Sequence, residues 1–194
     1  SYNQSSHTHT HTHTHTQHVL ESGSIAPLVT IAQSDTTDAD VKIEACWVLL
    51  NATSCGSDRQ IEFLVQQGCV SVLCALLSDA TMVMMALEGL EKILQVGEEC
   101  AQRAAREIKA AKRDALKNSG GGKSLSSSLY GAPANPHASL VDTSSIAALK
   151  EHSSSQIAKR SARMWKAHFV TCAICNSSFS KRAPDTKWCT ECKC

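Results

Sequence analysis

Apolar side chains along this chain fall into two matching sets. Val19, Leu20, Gly23, Ile25, Leu28, Ile31 and Ala32 recur 45 residues later as Leu64, Val65, Gly68, Val70, Leu73, Leu76 and Leu77. Behind each set runs a longer helical stretch, residues 40–52 and 80–95, in which Ala45 pairs with Ala86 and Leu49 with Leu90 at a spacing of 41. The difference falls in the polar connection 33–38, where a surface loop changes length at little cost. Steps of three and four between apolar positions mark one helical face. Each unit therefore reads as a short helix, a glycine turn, a second helix and a longer third helix. Gly23 and Gly68 suit the corner, since a residue without Cβ takes positive φ freely and lets two helices approach. Pro27 falls in the first turn of the second helix, where its missing N–H has no partner to lose.

A period of 41–45 residues belongs to the armadillo and HEAT class of repeats, and three helices with a glycine between the first two favour armadillo. The predicted fold is all-α, a piece of an armadillo-repeat solenoid with its right-handed superhelix, and residues 17–97 hold two repeats. The five His-Thr pairs within residues 1–16 offer no apolar face and predict disorder. Residues 98–137 combine a basic helix, ending near Lys117, with a Gly/Ser-rich flexible linker that contains Gly120-Gly121-Gly122. Helical pattern resumes in 139–151 and 155–169, where Ile157, Ala162, Trp165 and Phe169 are expected on one side. Residues 138–169 then form a terminal armadillo-like repeat that caps the stack, because a repeat buries its apolar faces only against neighbours.

Composition agrees with helices: 42% of residues are hydrophobic and only 4% aromatic. The net charge of +1 conceals a strong asymmetry, −9 over residues 1–99 against +10 over residues 100–194. An acidic half attracts cationic ligands, and ordinary solvated helix faces give the same numbers. No apolar run approaches the length of a membrane span, and the polar N-terminus has no signal-peptide core, so a soluble protein in a reducing compartment is expected. In that setting Cys46, Cys55, Cys69, Cys74 and Cys100 read as small buried hydrophobes. No nucleophile with a matched base, phosphate loop or open metal site is present, so the chain is not read as an enzyme.

One constellation stands out on the third helix of the first repeat. Glu44, Trp47 and Asn51 fall within roughly 60° of one another at 100° per residue, opposite a predicted buried stripe of Val41, Ala45, Val48, Leu49 and Ala52. An indole can take the stem and ammonium of a lysine, an asparagine pairs with extended peptide backbone, and a carboxylate takes a second cation. A tryptophan that merely covers a groove in the stack fits the same spacing.

The segment Glu44-Ala-Cys-Trp-Val-Leu-Leu-Asn-Ala-Thr-Ser54, followed by residues 60–69 and 86–94, resembles the late armadillo repeats of importin alpha. A weaker resemblance extends over Asn135-Pro136 and residues 146–169. It implies a nuclear-import adaptor that shuttles between cytoplasm and nucleus and binds Lys/Arg-rich localisation signals of cargo through Glu44, Trp47 and Asn51. It also implies contact with importin beta and an export factor. In the next repeat Glu88 and Lys92 stand at the positions of the Trp/Asn pair, as the family leads one to expect.

Cys172, Cys175, Cys189 and Cys192 form two C-x₂-C pairs separated by thirteen residues. Two such corners let four thiolates meet in a tetrahedron, so residues 170–194 are read as a zinc-ribbon-like module with a closed, structural Zn, for which Cys194 and His168 are substitute ligands. Lys181, Arg182, Lys187 and Trp188 leave room there for peptide or nucleic-acid contact. The alternative function is accordingly an armadillo scaffold whose zinc module mediates protein or nucleic-acid interaction; the leading one expects neither a nucleic acid nor a membrane as partner.

Overall fold

The computed structural model describes residues 17–118, 134–171 and 178–180. Helical residues 17–21 (α1) lead through Gly23, at φ 72°, into α2 (Ile25–Gln33). Helix α3 (Ala39–Cys55) follows, with the Asp38 carboxylate accepting from the Asp40 amide at its start. Ser57 and Gln60 form a capping box on α4 (Asp58–Gln66), in which the Ser57 amide donates to Gln60 Oε1 at 2.8 Å. Gly68, at φ 84°, then turns the chain by 82° into α5 (Cys69–Ala75), which tightens into a 3₁₀ turn at Leu76–Ser78. The two glycines matched across the repeat are thus the two positive-φ glycines among the described residues, each between the first and second helices of its unit.

Helix α6 (Val83–Asn118) is a single element of 36 residues, about 54 Å long, where the apolar pattern predicts separate stretches at 80–95 and 98–117. Gly97 does not interrupt it. A glycine costs a helix only about 1 kcal/mol relative to alanine, and Val96 and Ala101 bury themselves on either side. From residue 106 to 114 the helix is exposed all round, as its weak apolar face predicts.

The predicted linker ends earlier than expected. Residues 119–133 lie outside the described residues, but Asn135 and His137 are buried against α6. Asn135 donates through Nδ2 to the Leu94 carbonyl at 2.8 Å and accepts the His137 amide at 3.0 Å. A 3₁₀ turn (Ala138–Leu140), α7 (Thr143–Ala148), a second 3₁₀ turn (Leu149–Glu151) and α8 (Ser155–His168) complete a third unit. Asp142 caps α7 by accepting from the Ser144 and Ser145 amides and hydroxyls, which holds its carboxyl below the usual range. The buried face of α8 is Ile157, Ser161, Met164 and His168; Ala162, placed on that face from the sequence, is exposed, and Trp165 is half-buried. Ser161 explains the rotation, because its hydroxyl donates to the Ile146 carbonyl and draws α7 onto that side.

The fold is helical repeat packing with one exception. Phe169–Thr171 (β1) leaves the helix and pairs antiparallel with Ser178–Ser180 (β2), Phe169 opposite Ser180. One hydrophobic core runs from Leu20 to Phe169, and α6 lies at its centre in contact with α3, α4, α5 and α8.

Candidate functional site

On α3 the buried residues are Ala45, Cys46, Leu49, Leu50, Ala52 and Thr53. The predicted stripe shared Ala45, Leu49 and Ala52 but also included Val41, which is 50% exposed, and Val48, which is half-buried. Packing between α2 on one side and α6 on the other rotates the buried face by roughly 70° from that expectation. The rotation places Glu44 and Asn51 opposite the core, with Trp47 at its edge. Glu44 and Asn51 are exposed, and neither has a polar partner among the described residues. Trp47 is half-buried and packs on the edge of the core, which fixes the indole while leaving part of it open.

At the matched positions of the next unit the chemistry changes. Lys92 Nζ lies 3.7 Å from Asp58, and Glu88 is bound by Arg160 of α8. Arg160 places Nη1 2.7 Å from Glu88 and Nη2 2.7 Å from Glu91, joining one turn of α6 to α8 with both arms of the guanidinium. Its Nε is buried without an acceptor. Sequence reasoning missed Arg160, since its carboxylate partners are about seventy residues away and no local spacing connects them.

Residues 12–54 match the armadillo/beta-catenin-like repeat family. That segment is similar to an armadillo repeat. It is 42% identical over 76 residues to importin subunit alpha-5 of Arabidopsis thaliana, a match covering 38% of this chain and 14% of that protein. It is 56% identical over 52 residues to importin subunit alpha-B of Dictyostelium discoideum, covering 26% and 10%. With importin subunit alpha-4 of Arabidopsis thaliana it shares 50% identity over 82 residues, covering 41% and 15%. Similarity to importin alpha is thus found again in several subunits of that name. The chain spans 10–15% of the length of these three relatives.

The helical core also decides the state of its thiols. Burial pushes the Cys69 thiol up to about 12 and raises those of Cys46 and Cys74. Cys100, whose Sγ donates to Glu62 Oε1 at 2.7 Å, is pushed up to about 11 by burial and then by that carboxylate. These thiols stay protonated at neutral pH; Cys46 and Cys69 are buried as expected, whereas Cys74 and Cys100 are half-buried and Cys55 is exposed. His168, one of the substitute metal ligands, has its Nδ1 3.1 Å from Glu98 Oε1, so that nitrogen is committed to α6. Cys172, Cys175, Cys189, Cys192 and Cys194 lie outside the described residues, as do Lys181, Arg182, Lys187 and Trp188.

Proposed function

We propose that this chain acts as the armadillo portion of a nuclear-import adaptor of importin-alpha type, holding Lys/Arg-rich localisation signals of cargo and shuttling between cytoplasm and nucleus. The observation that carries the reading is the rung on α3. Glu44 and Asn51 oppose the buried face with Trp47 at its edge, their polar atoms unengaged among the described residues and the indole steadied by the core. Glu44 and Asn51 are about 10.5 Å apart along the helix axis, the length of about three residues of extended peptide. A lysine of the ligand lays its stem on Trp47 with its ammonium over the ring, a contact of about 0.5–2 kcal/mol. Asn51 pairs with the ligand backbone, and Glu44 takes the next cation. The negative charge of residues 1–99 steers such a ligand toward this face. Importin beta and an export factor are the partners the same reading assigns.

One rung gives weak binding, so the test needs a sensitive readout. In fluorescence anisotropy with a lysine-rich localisation peptide at low salt, Trp47→Ala is expected to weaken binding at least tenfold and Asn51→Ala severalfold. Unchanged affinity in Trp47→Ala sinks the reading.

We further propose the closed zinc site of Cys172, Cys175, Cys189 and Cys192, in a module at residues 170–194. What supports it is the β1–β2 ladder, which pins both ends of the short connection that contains Cys172 and Cys175. A short connection between paired strands keeps two thiols together as one corner of a tetrahedral site. Metal analysis of the purified chain is expected to give one zinc per molecule, lost in Cys172→Ser/Cys189→Ser. A metal-free parent protein after purification with zinc present contradicts it.

A further inference from the structure

A cleft of about 640 Å³ opens between α6 and α8, on the unit beyond the α3 rung. Met84 and Ala162 supply an apolar part of its lining, and its charged groups are Glu88, Lys159, Arg160 and Arg163. The charges are unequal in availability. Glu88 and Arg160 are already bonded to each other at 2.7 Å, and the second arm of Arg160 is taken by Glu91. Lys159 and Arg163 are exposed, and neither has an acidic partner among the described residues. Four residues apart on α8, they face the same way. Among the described residues the cleft therefore presents two cations without an acidic partner beside an apolar wall, while the one carboxylate of its lining is neutralised from within.

We propose that this cleft docks an acidic peptide segment of a partner protein, one that places two carboxylates on Lys159 and Arg163 and an apolar side chain between Met84 and Ala162. A ligand of this kind matches both the charge and the wall. A lysine-rich peptide meets the wrong sign here, so the site is distinct from the Trp47 rung and does not depend on it. A nucleic acid would need a longer track of cations and no carboxylate in the wall, whereas the cleft holds one turn of free cations next to Glu88.

The test is anisotropy with a fluorescein-labelled peptide of Glu and Asp around a single Leu, set against an oligonucleotide of equal charge. Lys159→Glu/Arg163→Glu is expected to weaken the acidic peptide at least tenfold, and Ala162→Trp, which fills the cleft without changing charge, is expected to do the same. All three positions are exposed, so melting curves should match the parent. Arg106→Glu/Lys109→Glu, on the exposed end of α6, and Trp47→Ala should leave the affinity within twofold. The proposal is overturned if the acidic peptide does not bind, if the cleft variants bind as the parent does, or if the oligonucleotide binds as tightly and through the same residues.

Discussion

Gly97→Ala is expected to destabilise the protein by about 1–5 kcal/mol and to detach the third unit from α6. Helix propensity alone predicts the opposite sign, since alanine in place of a mid-helix glycine gains about 1 kcal/mol. Packing decides against it. A Cβ at Gly97 would collide with the Asn135 carboxamide oxygen and would come within 2.7 Å of the His137 ring. Asn135 is 4% exposed and uses that carboxamide to hold both the Leu94 carbonyl and the His137 amide, so it cannot turn aside without leaving buried polar groups unpaired. Overpacking costs about 1–3 kcal/mol and a buried unpaired group about 1–3 kcal/mol more. His137 adds to the penalty, because its buried ring must also move away from the added Cβ. Chemical denaturation would show the loss, and hydrogen exchange would show α7 and α8 losing protection before α4 and α5. A variant as stable as the parent would mean that residues 134–137 dock more loosely than their hydrogen bonds indicate.

The repeat was legible because it is written in local spacing. Gly23 and Gly68 occupy equivalent corners, and Leu49 and Leu90 are both fully buried. What escaped was set by long-range neighbours. Which face of α3 is buried depends on α6 lying beside α2, so Leu50 and Thr53 joined the core and Val41 left it. Thr53 is tolerated there because its hydroxyl donates to the Leu50 carbonyl at 2.8 Å. The start of the third unit at Asn135 lies in a stretch whose Gly, Ser and Pro content reads as linker, although the resemblance reaches Asn135-Pro136, and the anchor that holds it is a carbonyl of α6, which no sequence pattern displays. Of the candidate site, the residues and their common face were readable; the change of sign one unit further on was not, because it depends on Arg160 reaching back to Glu88 and Glu91.

That change of sign matters for the proposed activity. The α3 rung offers an aromatic, an amide and a carboxylate, while the following unit answers its carboxylates with its own arginine. A basic peptide therefore finds one rung and then a neutralised position, and the α8 side favours the opposite charge. Salt should weaken both kinds of binding, since each depends on exposed charges screened within about 10 Å at 0.1 M.

Leu90→Ala is expected to cost about 3–5 kcal/mol, and to divide one unfolding transition into two. Leu90 is fully buried about two turns into α6, the helix that touches α3, α4, α5 and α8. The cost of a leucine truncation depends on how far the surroundings can close the cavity. Here they cannot close easily. A Cβ added at the adjacent Gly89 would lie 2.8 Å from Thr53 Oγ1 and 3.3 Å from Leu73 Cδ2, so the helices on that side are already in tight contact. In a repeat stack each unit is held by its neighbours, and weakening the central helix lowers the coupling between the ends. Calorimetry of the variant should resolve an early transition absent from the parent, whereas Leu49→Ala, nearer one end, should lower the midpoint and keep a single transition. A loss below about 1 kcal/mol with one sharp transition would show that α6 is not the element through which the units hold one another.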